Sequence, residues 1–152
     1  MTHETAVGAT TEWYTPPEFF DALRVTFDLD PASPGADVVP WVPADKHYTR
    51  VDDGLTQPWF GRVWLNPPYG PQATPFIDRM LNHGRGMLLI PARTETWNFQ
   101  RAARAADRVC FLKDRLHFIR QDGAQGRAAF GSVLMVYGED ISLDDYGWTV
   151  KR

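Results

Sequence analysis

Apolar and polar residues alternate along this chain in two distinct rhythms. After a polar, small-residue stretch over 1–12, Thr15-Pro16-Pro17-Glu18 presents a potential N-cap, then prolines, then an acid in a first turn. Phe19, Phe20 and Leu23 follow at helical spacing, which predicts a helix from about Pro16 to Val25. Residues 25–30 alternate and are β-rich, predicting a strand that ends at Asp30. Residues 31–58 carry five prolines and two glycines and read as one long irregular stretch, the kind that compact domains keep for function. Arg62 to Leu65 reads as a second strand, and Phe76, Ile77, Met80 and Leu81 mark a helix over 73–83 that stops at Gly84. Residues 86–90 are a continuous apolar run, as expected of a strand buried on both faces, 108–112 read as another buried strand, and a helix is predicted over 95–105 between them. Residues 116–119 read as a short strand, 121–127 as a glycine-containing loop and 132–137 as a last strand.

Strands alternating with helices predict an α/β fold with a mostly parallel central sheet and helices on both faces, the last strands antiparallel. In such sheets ligands sit beyond the carboxyl ends of the strands. That rule marks the loops after Asp30, Leu65 and Ile90. A length of 152 residues is enough for one domain, read here as 13–152 behind a loose arm at 1–12. MTHETAVGATTEW has neither a basic n-region nor an apolar h-region, and no apolar run is long enough to span a membrane. The single cysteine, Cys110, excludes a disulfide within the chain and fits a reducing cytoplasm, where it reads as an inert buried strand residue. His3, His47, His83 and His117 are scattered without ligand spacing, so no metal is expected.

Charge is unevenly distributed. The total is −3. Residues 1–84 hold five basic and eleven acidic side chains, net −6; residues 85–127 hold nine and four, net +5; residues 128–152 hold two and four, net −2. A basic middle following the strand that ends at Ile90 would lie on the same sheet edge as the marked loops, where a polyanion could approach. Arg93 directly follows that strand, and Lys113, Arg115, His117, Arg120 and Arg127 form a basic, hairpin-like element. Arg101, Arg104 and Arg108 fit a solvated helix face as well or better.

The sharpest chemical feature is Asn66-Pro67-Pro68-Tyr69-Gly70 directly after the apolar Val63-Trp64-Leu65. Two prolines fix the backbone and carry no N–H, so nearby carbonyls have no competing local donor. The Asn66 side chain offers a carbonyl acceptor. Two fixed acceptors can hold both protons of an NH₂ group and aim its lone pair at an electrophile. Tyr69 adds a flat face for a planar base. The plainer reading is a rigid strand-to-loop turn with Asn66 as its turn residue.

Asn-Pro-Pro-Tyr is also the amine-activating motif of S-adenosylmethionine-dependent N-methyltransferases. Over roughly residues 12–137 the chain resembles the small phage-type, Dam-like DNA adenine methyltransferases. The matching pieces are Glu12-Trp13-Tyr14-Thr15-Pro16, Phe27-Asp28-Leu29-Asp30-Pro31-Ala32, Asp52-Asp53-Gly54-Leu55, Trp59, the Asn66–Gly70 core, Pro91-Ala92-Arg93-Thr94 and Ser132-Val133-Leu134. The resemblance implies a Rossmann-like methyltransferase fold. It implies that Tyr14, Thr15 and Pro16 contact the methionine end of the cofactor. Asp30, with Pro31 and Ala32, would bind its ammonium or its ribose hydroxyls, and Asp53 would sit at its adenine. Asn66, Pro67, Pro68 and Tyr69 would form the target-base site, and S-adenosylhomocysteine would be the product. The partner implied is double-stranded DNA, in a bacterial or phage-infected cell. A palindromic recognition sequence would call for a homodimer or for sequential action on the two strands. The core motif is shared with glutamine and RNA methylases, which are rival readings, as is a non-catalytic DNA-binding module that keeps only the fold. For Asp30 and Asp53 the rival role is an Asx turn or a helix cap. The Gly-x-Gly loop that many methyltransferases carry after the first strand is replaced here by Asp30-Pro31-Ala32-Ser33-Pro34-Gly35, as it often is in the small phage enzymes, and the length leaves no room for a separate recognition domain.

Overall fold

The apolar runs at 86–90 and 132–137 become adjacent central strands, and their side chains divide between two cores. Met87, Leu89, Leu134 and Val136 enter one, and Leu88, Ile90, Val133 and Met135 the other. A strand buried on both faces has no room for alternation, which is why these segments are apolar throughout.

The computed structural model describes residues 13–120 and 122–152, so the arm expected at 1–12 lies outside the described residues. In chain order the elements are β1 (Trp13–Tyr14), α1 (Pro17–Leu23), β2 (Phe27–Asp30), β3 (Ala44–His47), β4 (Val63–Leu65), a 3-10 turn (Gly70–Gln72), α2 (Ala73–His83), β5 (Gly86–Pro91), α3 (Trp97–Ala105), β6 (Arg108–Leu112), β7 (His117–Arg120), β8 (Gln125–Arg127), β9 (Ser132–Tyr137) and β10 (Gly147–Lys151). Seven strands form one sheet in the order β10-β6-β9-β5-β4-β2-β3. β3, β2, β4 and β5 pair in parallel; β9 runs antiparallel between β5 and β6, and β10 antiparallel to β6. The mostly parallel sheet with antiparallel last strands is therefore present.

α2 and α3 cover one face through Ile77, Met80, Phe99 and Ala102. On the other face the short α1 packs Phe19 and Phe20 around Trp64, with ring centroids 5.6 and 4.8 Å away. A second sheet, β1-β7-β8, continues that layer by placing Phe118 of β7 in the same core, joined by Ala128 just beyond β8.

Several boundaries differ from the sequence expectation. α1 stops at Leu23 because Arg24 turns left-handed (φ 55°), and β2 begins at Phe27. Thr15 does not cap α1: the N-cap is Pro16, with no side-chain cap bond. The stretch read as one irregular loop contains β3, whose Ala-Asp-Lys-His carries no apolar rhythm because it is an edge strand with two exposed residues. Part of the expected loop at 121–127 is β8, which pairs with β7 as a hairpin. β10 is a second edge strand, defined by its register with β6 rather than by its own pattern. Cys110 is fully buried on β6, and burial pushes its thiol pKa up, as an inert residue requires.

Candidate active site

Asp30 and Asn66 stand at the carboxyl ends of neighbouring parallel strands, β2 and β4. A cavity of about 540 Å³ opens beyond them. Tyr14, Thr15, Asp30, Pro31, Ala32, Asp53, Asn66, Pro67 and Pro68 all line it, so one space collects residues from four separated segments. Pro16 is buried at the N-cap of α1 and is not among the lining residues. Tyr69 lies on the far side of the proline pair, in a second cavity of about 420 Å³ that Pro67 and Pro68 also line. The Asn66–Tyr69 segment is thus a rigid partition between two spaces.

Asn66 is anchored by its amide nitrogen. Nδ2 donates to the Trp13 carbonyl at 2.9 Å and to the Thr15 hydroxyl at 3.2 Å. Thr15 is 2 % exposed, and its own carbonyl accepts from Trp41 Nε1 at 2.8 Å. Both amide hydrogens are spent on β1 and the residue after it, which leaves Oδ1 as the acceptor.

Asp30 is buried at the bottom of the first cavity. It accepts a backbone hydrogen bond from Ala32 at 3.3 Å, an Asx turn. Burial dominates over that bond and raises the carboxyl from its ordinary 3.8 to about 7. His47 Nδ1 stands 3.9 Å from Asp30 Oδ2 and 2.6 Å from Ser33 Oγ. Ser33 Oγ also accepts from the Gly35 amide, and burial holds His47 below its usual range, so the ring offers Asp30 no full positive charge.

Asp53 is exposed and left-handed (φ 59°), and its carboxylate accepts from the Leu55 amide at 3.2 Å, so it too closes an Asx turn. That turn is braced from below. Trp59 Nε1 donates to the Gly54 carbonyl at 2.7 Å, and the Arg79 guanidinium on α2 donates to the Leu55 and Gln57 carbonyls at 2.6 and 2.9 Å. Gly54 is required there: a Cβ would come within 1.9 Å of the Pro31 carbonyl oxygen. The two acidic loops therefore touch through backbone.

Tyr69 packs edge-on to Phe130, with centroids 5.6 Å apart, and Arg93 lies over the other ring of that pair, 5.9 Å from the Phe130 centroid. Burial pushes the Tyr69 hydroxyl pKa up, so it stays protonated. Arg93 is exposed and lines the second cavity. Lys113, Arg115, His117, Arg120 and Arg127 are exposed on and beside the β7–β8 hairpin and line neither cavity. Arg120 makes a 3.3 Å surface contact with Asp122. Arg101 is occupied structurally: it pairs with Asp78, donates to the Thr74 carbonyl and stacks 4.1 Å from the Trp97 centroid. Arg108 pairs with Asp140.

Sequence reasoning missed Ser33, His47, Arg79 and Phe130. Each is one polar or aromatic residue in an ordinary context: Ser33 lines the first cavity, and only the fold brings His47, Arg79 and Phe130 against lining residues, namely Asp30, Leu55 and Tyr69. Among the described residues there is no group of three or more His, Cys, Asp or Glu placed to hold a metal ion, and no helix long and apolar enough to cross a membrane.

No curated protein and no solved structure matches the chain. The family model described as DNA N-6-adenine-methyltransferase (Dam) matches residues 3–141, a span that takes in the Asn66–Tyr69 partition, both acidic loops, Arg93 and the basic hairpin, and so the chain belongs to the Dam DNA N6-adenine methyltransferase family.

Proposed function

We propose that this protein is an S-adenosylmethionine-dependent enzyme with a Rossmann-like fold that methylates the exocyclic N6 of adenine in double-stranded DNA. The observation that carries the reading is the Asn66–Tyr69 partition, with a donor-sized cavity on one side and a second cavity on the other.

The residues of the larger cavity fit the cofactor. A buried carboxyl at Asp30, without a full cationic partner, suits an ammonium or a pair of ribose hydroxyls. The braced Asp53–Leu55 turn suits the adenine, and Tyr14 and Thr15 the methionine end. S-adenosylmethionine supplies a methyl group made electrophilic by a sulfonium and leaves as S-adenosylhomocysteine.

The protein's own part is positioning. The target adenine leaves the helix stack, at a cost of a few kcal/mol. Tyr69 offers its ring to the base from the second cavity. Asn66 Oδ1 and the Pro67 carbonyl accept the two N6 protons. Those bonds draw the lone pair out of conjugation and toward the first cavity. Asn66 and Pro67 stabilise positive charge developing on the nitrogen, and the surplus proton leaves toward their oxygens and on to water. Arg93, Lys113, Arg115 and Arg120 would meet DNA, Arg93 beside the base and the others along the phosphates. The setting is the cytoplasm of a bacterial or phage-infected cell.

Incubating the protein with duplex DNA and a labelled methyl donor tests the proposal. The expected result is label on adenine N6, abolished by Asn66→Ala. Label on cytosine, label only on protein or RNA, or an Asn66→Ala variant as active as wild type would refute it.

A further inference from the structure

A side-chain amide can be seated two ways round, and only one of them presents oxygen to an amine. At Asn66 the choice is made by its neighbours. The Trp13 carbonyl can only accept, so it takes the NH₂ group, 2.9 Å away; the reverse seating would set two oxygens against each other. The second amide hydrogen reaches the Thr15 hydroxyl at 3.2 Å. That hydroxyl is buried, and it is not used to cap α1 although it sits where a cap is expected.

The supporting residues are themselves held. Trp13 and Tyr14 pair with Arg120 and Ile119 of β7, the Trp13 ring meets Phe118 at 6.1 Å, and the Thr15 carbonyl is tied to Trp41. The hydroxyl therefore stands at a fixed place against Asn66.

We propose that Thr15 is a positioning residue for methyl transfer: its hydroxyl, with the Trp13 carbonyl, locks the Asn66 amide so that Oδ1 faces the target amine. This inference rests on the reading of Asn66 as the amine acceptor. It assigns the Thr15 hydroxyl to the chemical step, and it leaves to the Thr15 backbone and methyl group any contact with the methyl donor. A residue whose hydroxyl served the donor would act on donor affinity instead.

The test compares Thr15→Val, which keeps the shape and removes the hydroxyl, with Thr15→Ser, which keeps the hydroxyl. Single-turnover methylation of duplex DNA and calorimetric binding of S-adenosylmethionine are measured on each, with melting curves as the folding control. Thr15→Val is expected to slow the chemical step by about tenfold, the weight of one ordinary hydrogen bond. Its affinity for S-adenosylmethionine should stay within about twofold of wild type, and Thr15→Ser should restore the rate. Should Thr15→Val fail to fold, Thr15→Ala and Thr15→Ser carry the same comparison. Weakened donor binding with an unchanged chemical step would overturn the inference, as would a serine variant as slow as the valine or alanine one. Loss of activity in Asn66→Ala beside a fully active Thr15→Val would sink this inference alone, whereas an active Asn66→Ala would sink the functional reading beneath it.

Discussion

Replacing Asp30 with asparagine should make the cofactor-free protein more stable above neutral pH while destroying its use. In the folded chain Asp30 keeps its proton to about pH 7, whereas the unfolded chain releases it near 3.8. Between those values the native state binds more protons, so stability falls as pH rises, and the loss is complete above about pH 7. At about 1.4 kcal/mol per pH unit the full penalty is on the order of 4 kcal/mol. Asparagine fills nearly the same volume, can still accept from the Ala32 amide and has no charge to bury, so the penalty disappears. For a chain of this length that is worth about 2–4 °C of melting temperature for each kcal/mol. Urea denaturation of both proteins at pH 5 and pH 8.5 measures it. Taking the difference between the two proteins cancels the other carboxylates. The wild type should lose more stability than the variant over that interval, by a few kcal/mol. S-adenosylmethionine should restore the wild type at pH 8.5 and leave Asp30→Asn unaffected. Donor affinity in the wild type should rise with pH up to about 7, because binding then requires release of the Asp30 proton. Parallel pH curves for the two proteins, or donor affinity indifferent to pH across this range, would refute the reasoning.

Other consequences follow from the same geometry. Gly54→Ala places a Cβ against the Pro31 carbonyl oxygen and should cost about 1–3 kcal/mol of stability. Donor affinity should fall with it, because both acidic loops must move; calorimetry on the folded fraction checks this. Lys113→Ala and Arg115→Ala should each weaken DNA binding irrespective of sequence and flatten the log–log salt dependence by about 1 per phosphate contact removed. A salt slope unchanged in both would remove them from the DNA surface. Arg101→Ala should lower stability by about 1 kcal/mol, through its lost contacts with Asp78 and the Thr74 carbonyl, and leave DNA affinity as it was. Cys110 should resist thiol reagents in the native protein and react only after unfolding, at a rate that tracks global opening.

Much of the architecture was legible from side-chain rhythm alone. Runs such as Met87–Ile90 and Val133–Val136 can be satisfied only by a strand covered on both sides, and Phe76, Ile77 and Met80 only by a helix with one apolar face. The same local logic marked Asn66–Tyr69, because two prolines and an amide after an apolar strand restrict the backbone whatever surrounds them. The edges were less legible. β3 and β10 face solvent on one side, so their residues carry little apolar signal, and their strand character comes from hydrogen bonds to β2 and β6. Thr15 misled for a related reason: Thr-Pro-Pro-Glu looks like the start of a helix, but a hydroxyl goes to the best-placed partner, and that partner lies 51 residues away on β4's exit loop. By itself the sequence determined the buried strands and the helices, and which short motif could polarise an amine. Tertiary structure alone decided that Asp30 would be buried without a full counter-charge, that Arg79 would brace a turn from a neighbouring helix, and that the Asn66 amide would be seated oxygen outward, since each depends on atoms that only chain crossing brings within hydrogen-bonding distance.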